Sequence, residues 1–80
     1  MYMTNSNLLR RAINDSGYRI NYIAKRLNIS YQGFLNKINN TREFKASEIM
    51  ALCNLLNLEA EKRESIFFAE KVDFNSTKAI

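Results

Sequence analysis

Apolar side chains recur along this chain at spacings of three and four residues, which is the period of an amphipathic helix. The chain contains no proline, so breaks between helices are marked instead by Gly, Asn and Ser and by lapses in the apolar period. The pattern predicts five helices, at about residues 6–16, 20–27, 31–39, 46–56 and 60–69. We therefore expect an all-α fold, a compact domain built of five helices.

The second and third predicted helices form the most informative unit. Asn28 tolerates the left-handed conformation that a tight turn between two helices needs, and Ser30 can cap the helix that follows. Small Ala24 suits a close approach of the two helices. The apolar stripe of the second helix consists of Ile20, Ile23, Ala24 and Leu27. On the third helix we expect Phe34, Leu35 and Ile38 inside, and Tyr31, Gln32, Asn36, Lys37 and Asn39 outside.

The last two helices are predicted to complete the core. Phe44 is expected to plug it before the fourth helix, which is so apolar, Met50 included, that we expect it to be central and buried. Ile66, Phe67 and Phe68 are consecutive, so they cannot all face one core. Phe67 and Phe68 are candidate dimer contacts, the alternative being partial exposure beside a folded-back tail. We expect a domain over residues 1–71 and a weakly ordered tail over residues 72–80.

Composition narrows the function classes. Eighty residues, 46% of them hydrophobic, suit one globular domain. Cys53 is the single cysteine and histidine is absent, so a disulfide within the chain, a Cys/His metal site and a serine–histidine or cysteine–histidine nucleophile are excluded. We expect no enzyme, no cofactor and no small-molecule ligand. The N-terminus lacks the pattern of a signal peptide and no apolar run could span a membrane, which predicts a cytoplasmic protein.

Positive charge is concentrated in the first half of the chain. Residues 1–45 carry a net charge of +6, and residues 46–80 carry −2. A polyanion-binding face needs such asymmetry, because neutralising phosphates supplies the part of DNA affinity that is independent of sequence. A basic face that is merely solvated is the alternative that charge alone leaves open.

The outer face of the third helix has the chemistry of base recognition. Gln and Asn can contact adenine in a bidentate way, and Gln32 and Asn36 are four residues apart on one helix face. Tyr31 can reach a phosphate or a thymine methyl group. We predict these three as base readers, with ordinary solvated surface as the alternative. The predicted phosphate contacts around them are Arg19, Asn21, Ser30, Lys37, Thr41, Arg42 and Lys45.

The segment IAKRLNISYQGFLNKINNTREFKASEIMALCNLL, residues 23–56, resembles the helix-turn-helix of the lambda-repressor-like superfamily, including Cro and the XRE-family phage-type regulators. The resemblance extends from about Leu8 to Phe68, with Asn28 where the family usually has its turn glycine. It implies a five-helix domain that binds pseudo-palindromic double-stranded DNA operators as a homodimer and regulates transcription, often as a repressor. By position it implies that Tyr31, Gln32 and Asn36 read bases and that residues 40–42, including Asn40, contact phosphates.

A helical protein-interaction module, such as an antitoxin or an anti-repressor, is the principal alternative from another class. The two differ in their response to salt, because binding through phosphate contacts weakens steeply as salt rises.

Overall fold

The computed structural model describes residues 2–70 of the protein. In this part of the chain five helices pack around one core. They are α1 (Ser6–Ser16), α2 (Ile20–Arg26), α3 (Tyr31–Ile38), α4 (Ala46–Leu56) and α5 (Ala60–Phe67). The predicted compact helical domain is confirmed. The tail expected over residues 72–80, and the domain boundary at 71, lie outside the described residues.

The helix ends follow from local chemistry. The Asn5 side chain accepts a hydrogen bond from the Leu8 amide and caps the start of α1. Gly17, at φ 82°, ends α1 in the left-handed conformation that glycine adopts without strain. The bounds of α4 agree with the prediction at both ends, whereas α5 ends two residues earlier than predicted.

Two short strands join the chain's first described residues to the end of α5. β1 (Tyr2–Met3) pairs antiparallel with β2 (Ala69–Glu70), with Tyr2 opposite Glu70 and Met3 opposite Ala69. The Asn5 amide also donates to the Ile66 carbonyl at 2.6 Å. The sequence pattern predicted neither contact, because strands of two residues are too short to show alternation.

The core draws side chains from all five helices. Phe34 and Ile38 of α3 are fully buried, and Phe44 packs edge-to-face against Phe34 with ring centroids 6.2 Å apart, as expected of a plug. The buried apolar residues are Leu9, Ile13, Ile23, Ala24, Leu27, Phe34, Ile38, Leu52, Cys53, Ile66 and Phe67. Among residues 2–70, no helix is long and apolar enough to cross a membrane.

Two expectations about burial are wrong. Met50 is 65% exposed, so α4 has an outward face and is not buried all round. Lys37 was expected outside but is only 8% exposed, and it contacts Glu48 of α4, which is equally buried. Lys37 is buried because it pairs with a carboxylate of α4, whereas Met50 lies on the outward face of that helix.

Candidate nucleic-acid interface

A tight turn fixes α3 against α2. Asn28 has φ 63°, the left-handed conformation predicted for it, and the Ile29 amide donates to the Ala24 carbonyl at 3.0 Å. Ala24 is almost completely buried, as a small residue at a close helix contact should be. Ser30 then caps α3, its hydroxyl oxygen accepting from the Gly33 amide at 2.9 Å. The arrangement of α2, the turn and α3 is therefore built from local hydrogen bonds as well as from apolar packing.

Gly33 is explained by the cap of its own helix. A Cβ at this position would lie 2.9 Å from the Ser30 hydroxyl oxygen, closer than such atoms approach in proteins. The nearest atom to such a Cβ is the oxygen of the capping hydroxyl, so any larger residue would have to push the cap aside.

The three predicted base readers share the outer surface of α3. Tyr31 is 53% exposed, Gln32 is exposed and Asn36 is half-buried. The Gln32 amide nitrogen donates to the Asn36 side-chain oxygen at 3.1 Å. A carboxamide nitrogen carries two hydrogens and its oxygen has two lone pairs, so this bond leaves Gln32 able to donate and accept at the same time. The pair is thus held in register without losing the groups that a base edge requires.

Several predicted phosphate contacts lie beside the first turn of α3. Arg19 immediately precedes α2, and Arg19, Ile20, Asn21 and Tyr31 line one open groove between the starts of the two helices. Arg19 and Asn21 are both exposed. The Ser30 hydroxyl accepts from Gly33 but still has its own proton to donate. The structure thus gathers these donors at one end of the α3 surface.

A second group of predicted phosphate contacts follows the other end of α3. The amides of Thr41 and Arg42 both donate to the Asn36 carbonyl, at 2.8 and 3.2 Å. Thr41, Arg42 and Lys45 are exposed. The loop that carries Thr41 and Arg42 is therefore tied to the backbone of a candidate base reader.

The Asn40 side chain, expected to contact a phosphate, bonds the backbone of Thr4 instead. Its side-chain nitrogen donates to the Thr4 carbonyl and its side-chain oxygen accepts from the Thr4 amide, both at 2.8 Å. An amide held at both ends by the chain's own backbone is not turned toward a phosphate. We therefore exclude the Asn40 side chain from the phosphate-binding set.

Lys37, predicted as a phosphate contact, pairs with Glu48 instead. Its ammonium lies 2.6 and 2.8 Å from the two carboxylate oxygens of Glu48, and the nearer oxygen, Oε1, also accepts from the Lys45 amide at 2.9 Å. An exposed phosphate contact would require breaking this buried pair. Lys37 and Glu48 are eleven residues apart on different helices, so no spacing rule could have identified the pair.

The ionisation of Glu48 reflects the same contacts. Burial raises the pKa of this carboxyl group, but the hydrogen bonds from Lys37 and from the Lys45 amide, together with both ammonium charges, outweigh burial. The net result is a pKa of Glu48 below its ordinary value of 4.5.

The exposed charged residues between positions 16 and 42, which include α2 and α3, are all cations. No acidic residue lies between Asp15 and Glu43. Lys37 is neutralised by Glu48, which leaves Arg19, Lys25, Arg26 and Arg42 as the exposed cations of this segment. The exposed charge between Asp15 and Glu43 is therefore positive and is not compensated by an acidic residue of the same segment.

An exposed aromatic pair at the start of α2, with Tyr18 in the loop before the helix and Tyr22 on it, was missed by the sequence reading. The rings of Tyr18 and Tyr22 are 5.1 Å apart, and the Arg26 guanidinium lies over Tyr22 at 5.9 Å and donates to its hydroxyl. Residues 18, 22 and 26 follow one another at a spacing of four, which is the signal that could have revealed them.

The candidate dimer contacts separate into one core residue and one surface residue. Phe67 is only 4% exposed and packs edge-to-face on Phe44 with centroids 5.4 Å apart, so its expected role in a dimer contact is wrong. Phe68 is 37% exposed, as expected for one member of the aromatic run.

Comparisons with protein-family models, with curated proteins and with solved structures give no match to this chain.

Proposed function

We propose that this protein is a sequence-specific double-stranded DNA-binding transcriptional regulator of the lambda-repressor-like class. The observation that carries the proposal is the outer surface of α3, where Gln32 and Asn36 are joined by a hydrogen bond and Tyr31 is exposed beside them. Fully buried Phe34 and Ile38 hold the opposite side of the same helix. Such a helix presents neutral donors and acceptors from a rigid base, which is what reading the major groove requires.

Base recognition is assigned to the two amides and the tyrosine. Gln32 and Asn36 address adenine through paired donor and acceptor groups, and the bond between them reduces the freedom lost when DNA binds. Tyr31 contacts a thymine methyl group with its ring or a phosphate with its hydroxyl.

Phosphate contacts flank this reading surface on both sides. Arg19, Asn21 and Ser30 lie toward the start of α3, and Thr41, Arg42 and Lys45 lie beyond its end. Contacts of this kind fix the register of a protein on the duplex but carry little sequence information themselves. The uncompensated charge between residues 15 and 43 supports the same assignment.

The protein is proposed to bind a pseudo-palindromic operator as a homodimer, as the resemblance implies. Two copies of α3 would then lie about 34 Å apart, one turn of DNA. Analytical ultracentrifugation with and without operator tests this part, and a single monomer on operator DNA at all protein concentrations contradicts it.

The test of the main proposal begins with selection of binding sites from random duplex DNA, which yields half-site sequence and spacing together. Gln32→Ala is then expected to relax preference at one base position by about 1–3 kcal/mol. Arg42→Ala is expected to weaken binding to all sequences alike and to lower the salt slope by about one.

Matched controls come from exposed residues of α4 and α5. Asn54→Ala removes an amide and Lys62→Ala removes a cation, both away from the α3 surface, and neither is expected to change binding. If neither Gln32→Ala nor Arg42→Ala changes DNA binding, the proposal is contradicted.

A helical protein-interaction module, such as an antitoxin or an anti-repressor, is the second candidate. The exposed pair formed by Tyr18, which precedes α2, and Tyr22 of α2 favours it, because clustered aromatic residues are enriched at protein interfaces. This candidate predicts a partner whose binding is lost in Tyr18→Ser and Tyr22→Ser but is unaffected by Gln32→Ala.

A further inference from the structure

The first described residues form a strap, residues 2–6, that runs from the end of α5 to the end of α3. At the α5 end, β1 pairs with β2 and the Asn5 amide donates to the Ile66 carbonyl at 2.6 Å. At the α3 end, the Ser6 hydroxyl donates to the Ile38 carbonyl at 2.5 Å. The strap is therefore anchored at both ends, and Thr4 between them is buried.

Asn40 fastens the loop after α3 to this strap. Its side-chain amide reproduces a backbone pairing, donating to the Thr4 carbonyl and accepting from the Thr4 amide, each at 2.8 Å. A neighbouring bond adds to the link, since Arg10 of α1 donates to the Asn39 side-chain oxygen at 2.8 Å. Three successive residues at the end of α3 are thus bonded to residues 4–10.

Two independent requirements are met by asparagine at position 40. The backbone is left-handed, with φ 67°, a conformation that most residues with a Cβ avoid but that Asn tolerates. The side chain must also donate and accept at once, which aspartate cannot do when ionised. Glycine would satisfy the first requirement and fail the second, so the two can be separated by substitution.

The bonds between Asn40 and Thr4 hold one side of the loop, and the backbone carbonyl of Asn36 holds the other. Thr41 and Arg42 donate their amides to the Asn36 carbonyl immediately after Asn40. The position of Arg42 relative to α3 therefore depends on two attachments, the Asn36 carbonyl and the strap through Asn40.

We propose that Asn40 is a positioning residue for DNA binding, which holds the loop of Thr41 and Arg42 in the place where it meets a phosphate. The inference rests on the proposed function, since it specifies how one phosphate contact of that site is oriented. Asn40 itself does not touch the DNA. Its effect is transmitted through the loop, so loss of the amide should act on DNA affinity only as far as it disturbs the contact made by Arg42.

The experiment uses Asn40→Gly in the 80-residue protein, with Asn57→Gly as the matched control. Asn57 ends α4 with φ 61°, so the control replaces another left-handed Asn by Gly without touching the strap. Affinity for the selected operator and for a random-sequence duplex is measured over a salt series, for both variants, for Arg42→Ala and for the double variant Asn40→Gly/Arg42→Ala. Hydrogen exchange of the Thr4, Thr41 and Arg42 amides is followed without DNA.

Asn40→Gly is expected to weaken binding to both duplexes roughly tenfold, with unchanged sequence preference, because a phosphate contact and not a base contact is displaced. The salt slope falls by about one, as for Arg42→Ala. The double variant binds no more weakly than Arg42→Ala alone, since both changes remove the same contact. The three amides exchange faster without DNA, whereas Asn57→Gly leaves binding and these amides unchanged.

If the double variant loses as much DNA affinity as the two single variants together, the inference is overturned. Full additivity would mean that Asn40→Gly acts independently of the Arg42 contact, as a general loss of stability does. The inference is also overturned if Asn40→Gly binds DNA as tightly as the wild type while Arg42→Ala still weakens binding. In that case the proposed function survives. If the unaltered protein binds neither duplex, the proposed function fails and the inference fails with it.

Discussion

The Lys37 ammonium bonds both carboxylate oxygens of Glu48, at 2.6 and 2.8 Å, and this pair joins the candidate recognition helix α3 to α4. Glu48 also accepts from the Lys45 amide at the start of α4. One carboxylate therefore fixes both the docking of α3 and the first turn of its neighbour. Buried pairs of this kind are costly to break, because the remaining charge is left without a partner.

Removing the cation of this pair should destabilise the domain. Lys37→Met is expected to lower the free energy of unfolding by about 3 kcal/mol, since Glu48 is left charged and buried. The double variant Lys37→Met/Glu48→Gln is expected to be more stable than Lys37→Met, because glutamine is neutral and still accepts from the Lys45 amide. Urea unfolding followed by circular dichroism measures both. A smaller free energy of unfolding for the double variant than for Lys37→Met would contradict this account of the pair.

The same pair predicts a dependence of stability on pH. The pKa of Glu48 is lower in the folded protein than its ordinary value of 4.5, so the unfolded state takes up the proton first as the pH falls. The contribution of Glu48 to stability is complete above pH 4.5 and is lost as the pH falls through the folded pKa. Comparing unfolding curves of the wild type and Glu48→Gln across this pH range isolates the contribution of Glu48. If acid lowers the free energy of unfolding equally in the two proteins, Glu48 is not the source of the pH dependence.

The cap of α3 predicts that Ser30 and Gly33 are coupled. Gly33→Ala gains up to about 1 kcal/mol of helix propensity but displaces the Ser30 hydroxyl, whose capping bond contributes a similar amount. The two effects should nearly offset each other. With Ser30→Ala already present no hydroxyl obstructs the Cβ, and Gly33→Ala should then stabilise by about 1 kcal/mol. Thermal unfolding of the four proteins in this cycle gives the coupling, and purely additive effects would exclude it.

The two adjacent phenylalanines at the end of α5 should respond differently to truncation. Phe67→Ala is expected to cost about 3–5 kcal/mol, because it removes a buried ring that packs on Phe44. Phe68→Ala is expected to cost about 1 kcal/mol, because this ring is partly exposed in the folded protein. Chemical denaturation of each variant at one protein concentration checks the order. The opposite order would show that Phe67 is not the core residue of the two.

Buried Cys53 offers a probe for these measurements. Burial raises the pKa of its thiol above the ordinary value of 9.0, and the nearby charge of Arg63 opposes this only in part. A thiol that is buried and protonated reacts slowly with alkylating reagents. Its alkylation rate can therefore report opening of the core in each variant.

Much of the arrangement of α2, the turn and α3 could be predicted from the sequence because local chemistry specifies it. Apolar spacing located α2 and α3, Asn28 marked the left-handed turn and Ser30 marked the cap. Each of these signals acts over four residues or fewer, a range in which side-chain type and backbone conformation are directly linked. The exposed positions of Tyr31 and Gln32 follow from the same helical period.

The features that the sequence could not decide depend on which elements meet. The helical period predicts Lys37 outside, yet its ammonium pairs with a carboxylate on another helix. Asn40 was read as a phosphate contact, but Thr4, 36 residues away, takes both ends of its amide. In each case the side chain has two uses, and the one adopted depends on a partner distant in the chain.

The sequence by itself determined the helices, the turn between α2 and α3 and the outward positions of Tyr31 and Gln32 on α3, because period and capping act between near neighbours. Only the tertiary structure decided that Lys37 belongs to an internal ion pair, that Phe67 belongs to the core and that Asn40 holds the N-terminal strap. The physical reason is that a polar or aromatic side chain gains most from a well-placed partner. Where that partner lies is settled by the packing of the helices.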